Sequence, residues 1–157
     1  MPFIQRINRK YHYDFSWKKP EPLVHRPDCV GVRERLDEEG RELEPIDLDA
    51  LERALGQRLA DGEPPAVAVC YLFSYLSPAH ELATRERIRE RFPDVPVSLS
   101  HEIAPIWREY ERGSTVIVDA YLKPLVEAYV DGVSQALTER GASSPWALLK
   151  SNGGQAI

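Results

Sequence analysis

Three short stretches of this sequence carry groups that chemistry could use. Near its end stands SNGG, Ser151, Asn152, Gly153 and Gly154. A strand running into paired glycines lets backbone N–H groups approach an anion closely, and a helix after the turn would add the positive end of its dipole. Only three residues follow Gly154, so that helix is missing and the four residues are candidates for a half-built phosphate or ligand site. The competing reading is an ordinary tight turn. The second stretch is Arg108-Glu109-Tyr110-Glu111-Arg112, followed by Thr115. Its guanidiniums suit bidentate grip on a carboxylate or phosphate, which makes Arg108, Glu109, Arg112 and Thr115 candidates for a polar hinge. Against that stands a solvated turn with Glu109 and Arg112 paired at i, i+3, an interaction of little worth.

The third stretch is His101-Glu102. Read as the end of a strand, it sends its two side chains to opposite faces, so they do not form an acid–base pair. His12, His25 and His80 show no metal-site spacing, and neither do Cys29 and Cys70. No GxSxG elbow, phosphate loop or dinucleotide fingerprint occurs. The residues therefore assign no catalytic group and no metal.

The elements that must position these groups follow in chain order. Residues 1–28 mix aromatics with Pro20, Pro22 and Pro27 and read as irregular chain packed on a body. Arg6, Arg9, Lys10, Lys18 and Lys19 interleave there with Tyr11, Tyr13, Phe15 and Trp17, a pattern that on paper suits single-strand binding and more simply docks aromatics while the cations stay wet. Val30, Val32 and Leu36 alternate with Arg33 and Arg35, then Asp37-Glu38-Glu39-Gly40 and Arg41 to Glu44 complete a hairpin. Asp47 caps a helix through Leu59, with Leu48, Leu51, Leu55 and Leu59 on one stripe and Asp61-Gly62 at its end. AVAVCYLF, residues 66–73, is apolar on both alternations, as a strand covered on both faces of a parallel sheet must be. Cys70 within it reads as a buried reduced thiol.

Ser77-Pro78 opens a second helix, to Phe92, with Ser77 as hydroxyl cap. Its charges, including Glu81 and Arg85 at i, i+4, predict a largely solvated surface. VPVSL is the next strand, and strand, helix and strand make a βαβ crossover. Val118, Leu122, Leu125, Tyr129, Val133 and Ala136 then repeat every three or four residues to Gly141. They predict a long helix kinked at Pro124, or one that starts near Leu122 after an extended TVIV. Trp146 to Lys150 reads as a last strand. The stretch from Ser98 to Leu122 thus joins a finished α/β unit to the opening of a second.

Composition sets the bounds. At 157 residues, 43% hydrophobic and 29% charged, the chain holds one domain or parts of two and is neither disordered nor fibrous. A net charge of −5 argues against general nucleic-acid binding. The opening lacks the apolar core of a signal peptide, and no apolar run spans a bilayer, so a reducing cytoplasm is the expected location and no membrane contact is expected.

Specific strings resemble the hydantoinase A and 5-oxoprolinase family. AVAVCYLFSYLSPAHE, residues 66–81, looks like a segment near the end of that family's N-terminal region, and VSLSHEIAPIWREYERGSTVIVDAYLKP, residues 97–124, like the junction into its central domain. RPDCVGVRERLDEEGRELEPID, residues 26–47, and LKSNGG are similar as well. The resemblance divides the chain into the end of the N-terminal region (1–100) and the truncated start of the central domain (101–157). It implies an α/β fold that is part of an actin-like (ribonuclease H-like) ATPase architecture, with a βαβ unit, a hairpin and a long C-terminal helix. It also implies ATP-dependent opening of a cyclic amide such as a hydantoin, N-methylhydantoin or 5-oxoproline, with ATP and Mg²⁺ and a second subunit of the hydantoinase B type.

Acetone and acetophenone carboxylase subunits are similar to the family, so an ATP-using ketone carboxylase is the alternative within it. The family's Asp-x-Gly-Gly-Thr phosphate signatures are absent, so the stretch is expected to be inactive alone. Gly113 stands where a Thr-like residue is usual and Asp119 where Asn is common, which loosens the helix start and adds a charge. A stand-alone binding or assembly module, with homo-oligomers forming through an open sheet edge and uncovered helix face, is the alternative of a different class.

Overall fold

The computed structural model describes residues 13–16, 18, 21–59, 66–149 and 153–156. Arg6, Arg9, Lys10, Tyr11, Trp17 and Lys19 of the expected N-terminal platform, His12, and the Asp61-Gly62 helix stop lie outside the described residues. The first hairpin pairs β1 (Arg35–Leu36) with β2 (Glu42–Glu44), antiparallel. Asp37 makes the turn: its Oδ1 accepts from the backbone N–H groups of Glu39 (2.9 Å) and Arg41 (2.8 Å), and its Oδ2 from Arg41 Nε (2.8 Å). The Arg41 side chain, then its backbone N–H, hold the Asp37 carboxyl below the usual range. Gly40 takes φ +78°, a conformation that costs glycine nothing. Leu36 pairs with Glu42 and Arg35 with Glu44, so Leu43 is the extra residue of a bulge. The strand is shorter than the alternation from Val30 predicts, because Val32 leaves the ladder to pack on the core.

Helix α1 (Leu48–Leu59) starts as its sequence requires, with Asp47 Oδ1 accepting from the Ala50 N–H at 2.8 Å. Leu51 and Leu55 are buried. Strand β3 (Val67–Val69) crosses through α2 (Ala79–Arg91) to β4 (Val97–Leu99), and the two strands are parallel, Val67 against Val97 and Val69 against Leu99. The expected βαβ unit is present. Its strand is shorter than AVAVCYLF, because residues 71–77 form successive turns in which Phe73 takes φ +62°. Leu51, Leu55, Val69, Ile88, Val95, Val97 and Leu99 make one core. Together α1 and α2 cover that core and are tied at their rims by Arg87 to Asp49 and Glu52, and by Arg91 to Glu52.

Two expectations for α2 are corrected. Its cap is Pro78 rather than the Ser77 hydroxyl, and no side-chain cap bond is made. Nor does Glu81 pair with Arg85: Glu81 is buried, along with His80, Thr84 and Ile88, while Arg85 binds Glu102 at 2.6 Å. A crossover helix must lay one face on its sheet, so a helix poor in apolar residues buries polar ones.

Residues Ser100–Ile103 form a helical turn, α3, where a strand end was expected. Helix α4 (Glu109–Glu139) includes Pro124 and starts well before Leu122, so TVIV is helical. Its end is a Schellman motif: Gly141, at φ +80°, donates to Thr138 O (3.0 Å) and Ala142 to Leu137 O (3.0 Å). The face it buries is Arg112, Val116 and Ala120. Of the predicted stripe, Val118, Leu122, Leu125 and Tyr129 are exposed. Strand β4 meets α4 through Ser98 Oγ, which donates to Asp119 Oδ2 at 2.6 Å. The added charge at Asp119 thus has a partner. Cys29 is exposed and Cys70 half-buried, both free. Contacts divide the chain into Met1–Pro124 and Leu125–Ile157. In the second unit β5 (Leu148–Leu149) pairs antiparallel with β6 (Gln155–Ala156). Among the described residues no helix is long and apolar enough to cross a membrane.

His80 joins α2 to the first hairpin. Its side chain is 4% exposed, with Nδ1 2.7 Å from Glu34 Oε2 and Nε2 2.8 Å from Glu42 Oε2. Two carboxylates can both be satisfied only by a ring with two N–H donors, the imidazolium. Burial alone would lower its pKa, but the hydrogen bonds to Glu42 and Glu34, with their charges, prevail and raise it above 6.5. The stabilisation is therefore complete below the unfolded value of 6.5 and is lost as pH rises through the higher folded value. In thermal melts at several pH values the excess stability of wild type over His80→Gln should shrink on going alkaline; a constant difference would contradict the imidazolium. At Gly113 an added Cβ would meet only Cys70 Sγ, at 3.8 Å. Gly113→Ala should therefore stabilise by about 0.5–1 kcal/mol in denaturant titration.

Candidate functional site

The carboxyl ends of β3 and β4 lead into a cluster of buried polar groups. Sheets of this kind hold ligands at that edge. From α2, Glu81 enters the cluster with no exposed surface. Its Oε1 accepts from the Tyr71 N–H (3.1 Å) and Ser100 Oγ (2.6 Å), and its Oε2 from His101 N (3.0 Å) and His101 Nδ1 (2.7 Å). Ser100 has one hydroxyl proton and gives it to Glu81, so it accepts from both Ser74 Oγ (3.1 Å) and Arg112 Nε (3.2 Å).

Arg112, from the first turns of α4, has no exposed surface either. Its remaining donors reach Ile106 O (2.6 Å) and Tyr71 O (2.8 Å), and its guanidinium lies 5.4 Å from the centroid of the Tyr75 ring. One residue, Tyr71, thus gives its N–H to the carboxylate and its carbonyl to the guanidinium. Burial pushes the Tyr71 phenol up to about 12, against the hydrogen bond it shares with Thr84 at 2.9 Å.

Of the predicted hinge residues, Arg112 is at the centre of this cluster and the others are outside it. Arg108 is exposed, its guanidinium 5.2 Å from the Trp107 ring centroid and 3.8 Å from Glu111 Oε1. Glu109 begins α4, and Thr115 Oγ1 donates to Glu111 O at 2.7 Å. Among the described residues no ion pair joins Glu109 to Arg112. Gly153 and Gly154 are exposed between β5 and β6, Gly153 with φ +83°; Ser151 and Asn152 lie outside the described residues. The turn returns as a strand, so no helix dipole stands behind it. Among the described residues no group of three or more His, Cys, Asp or Glu could hold a metal ion. These residues do not by themselves fit a nucleotide with its divalent ion.

Sequence reasoning missed Ser74, Glu81 and Ser100, and set His101 aside because it read that residue as part of a strand end rather than of a helical turn. A signal for Glu81 existed: His80, Glu81, Thr84 and Ile88 share one helix face, and that face had to meet the sheet.

Removing Arg112 would leave two buried carbonyls and the Glu81 side of the cluster uncompensated. Arg112→Ala should cost about 3–5 kcal/mol, and Arg108→Ala less than about 0.5 kcal/mol, in urea unfolding. Equal effects would mean that Arg112 is not the buried clamp.

The family model described as "Hydantoinase/oxoprolinase N-terminal region" matches residues 1–92, and that described as "Hydantoinase/oxoprolinase" matches residues 112–156. The chain is 33% identical over 146 residues to caprolactamase subunit alpha of Pseudomonas jessenii, covering 93% of this chain and 21% of the relative. It is 34% identical over 143 residues to the acetophenone carboxylase gamma subunit of Aromatoleum aromaticum, covering 88% and 19%. The crystal structure of the ATP-dependent caprolactamase from Pseudomonas jessenii superposes with a TM-score of 0.84 at 32% identity, over 97% of this chain and 22% of that one. The chain spans about a fifth of the length of each of these two curated relatives. Two family matches on one chain, and a mixed helix and strand fold shared with a solved member, place it: the chain belongs to the hydantoinase/oxoprolinase family.

Proposed function

We propose that this chain is a portion of an ATP-dependent enzyme that opens a cyclic amide, a hydantoin, N-methylhydantoin or 5-oxoproline, and that it supplies scaffold rather than a complete active site. The observation that carries this is the superposition on an ATP-dependent caprolactamase, whose name declares a cyclic amide, over 97% of this chain and only 22% of that one. In this reading the actin-like (ribonuclease H-like) halves that bind ATP and Mg²⁺ belong to the whole enzyme. The boundary between its N-terminal region (1–100) and central domain (101–157) falls in the stretch that carries α3. The SNGG hairpin would lie near the nucleotide, and Arg108, Glu109, Arg112 and Thr115 between the nucleotide and substrate halves. A hydantoinase B-type subunit would complete a cytoplasmic assembly. The relatives named as an alpha and a gamma subunit support such assembly.

The second reading, an ATP-using subunit of a ketone carboxylase, is favoured by 34% identity to the acetophenone carboxylase gamma subunit. A non-catalytic assembly module is the third, favoured by the exposed Tyr121, Leu125 and Tyr129 of α4. Phosphate release by the complete enzyme should rise with a hydantoin or 5-oxoproline and not with acetone plus bicarbonate. The reverse would make it a carboxylase. This chain alone should release none, and sustained turnover by it would overturn the scaffold role.

A further inference from the structure

Among the described residues Phe73 alone, other than glycine, takes a positive φ, +62°. A bulky side chain crowds its own backbone in that region, so the surrounding structure must hold it there. The Phe73 carbonyl accepts from the N–H groups of Leu76 (2.9 Å) and Ser77 (3.2 Å). Ser74 is buried and bonds Ser100 of α3 at 3.1 Å, and Arg112 of α4 grips the Tyr71 carbonyl where the turn begins. The hairpin closes the other end: at Gly40 an added Cβ would stand 3.3 Å from Leu76 Cβ, tighter than ordinary contact. The side chain so placed is half-buried and lies outside the apolar core. Its ring centroid is 6.3 Å from that of Tyr75 at a tilt of 51°, and the Tyr75 ring in turn rests against the Arg112 guanidinium. Two aromatic rings thus stand together just past the carboxyl end of β3, at the edge where sheets of this kind take ligands. A strained residue braced from several sides at such an edge is held in place before its ligand arrives.

We infer that Phe73, with Tyr75 beside it, is a specificity-determining residue whose ring forms a wall against the methylene side of the cyclic amide; this rests on the cyclic-amide reading above. Such a ring carries its amide N–H and carbonyl on one edge and carbon on another. Aromatic side chains offer that carbon a large apolar area at little cost in side-chain freedom, and leave the amide to polar groups elsewhere. The two rings bind and do not react. Their contact is the same before and during the ATP-dependent chemistry, so its loss appears in KM and not in kcat.

In the complete enzyme Phe73→Gly should raise KM for the cyclic amide about tenfold or more, change kcat by less than about twofold, and leave KM for ATP as it is. Glycine takes a positive φ freely, so the variant should lose less in melting temperature than Phe92→Ala, which removes a ring packed on the core. Phe73→Asn, also suited to a positive φ, replaces it in the same measurements should the glycine variant fail to fold. An unchanged KM for the amide, or an equal rise for amide and ATP, would overturn the inference. Should the complete enzyme carboxylate a ketone, the cyclic-amide reading fails by itself, and KM for the ketone in the same variants still decides whether Phe73 meets the substrate.

Discussion

The structure depends on keeping one carboxylate out of water. Glu81 has no exposed surface, a position that costs several kcal/mol unless donors replace the lost hydration. Four do, and they come from two segments: the turn after β3, through the Tyr71 N–H, and the start of α3, through the Ser100 hydroxyl and the backbone and ring of His101. Each of those segments is irregular or short. None has enough backbone pairing of its own to fix its path, so the carboxylate sets it. The apolar core of Leu51, Leu55, Val69, Ile88, Val95, Val97 and Leu99 holds the layers together without specifying where the loops go.

His80, the residue before it, does similar work on the opposite side of the polar face. Helix α2 presents one imidazole to two carboxylates of the hairpin region and one carboxylate to the donors at the strand ends. The helix is therefore docked by charge complementarity on a face where hydrophobic contact is scarce. This explains how a crossover helix whose buried residues are His80, Glu81, Thr84 and Ile88 still covers a sheet. Buried polar contacts are directional, and they fix the rotation of the helix more tightly than a leucine stripe would.

What the sequence made legible was local. The Asp47 cap, the Gly40 turn and the Gly141 stop rest on interactions within a few residues, where spacing is informative, and the apolar runs on either side of α2 were enough to give the βαβ order. The hidden part was which polar residues fold inward. Glu81 and Arg85 are ideally spaced for a surface pair, yet Glu81 meets partners 10, 19 and 20 residues away. The same holds for α4: its apolar repeat at Leu122, Leu125 and Tyr129 suggested the buried side, while the buried side is Arg112, Val116 and Ala120. Hydrophobic periodicity marks a face that wants cover and does not say what supplies it. Of the hinge candidates, Arg112 alone entered the buried cluster, for reasons of geometry that composition could not reveal.

Arg112 serves three acceptors that diverge around one plane: a serine hydroxyl and the carbonyls of residues 71 and 106. A guanidinium meets such a set because its five N–H groups are fixed in a flat fork, whereas an ammonium directs three donors from a single point. What this position selects is therefore shape more than charge. A lysine would keep the positive charge yet fail to reach all three acceptors, so the exchange usually counted as the mildest for arginine would here unfasten two loops at once.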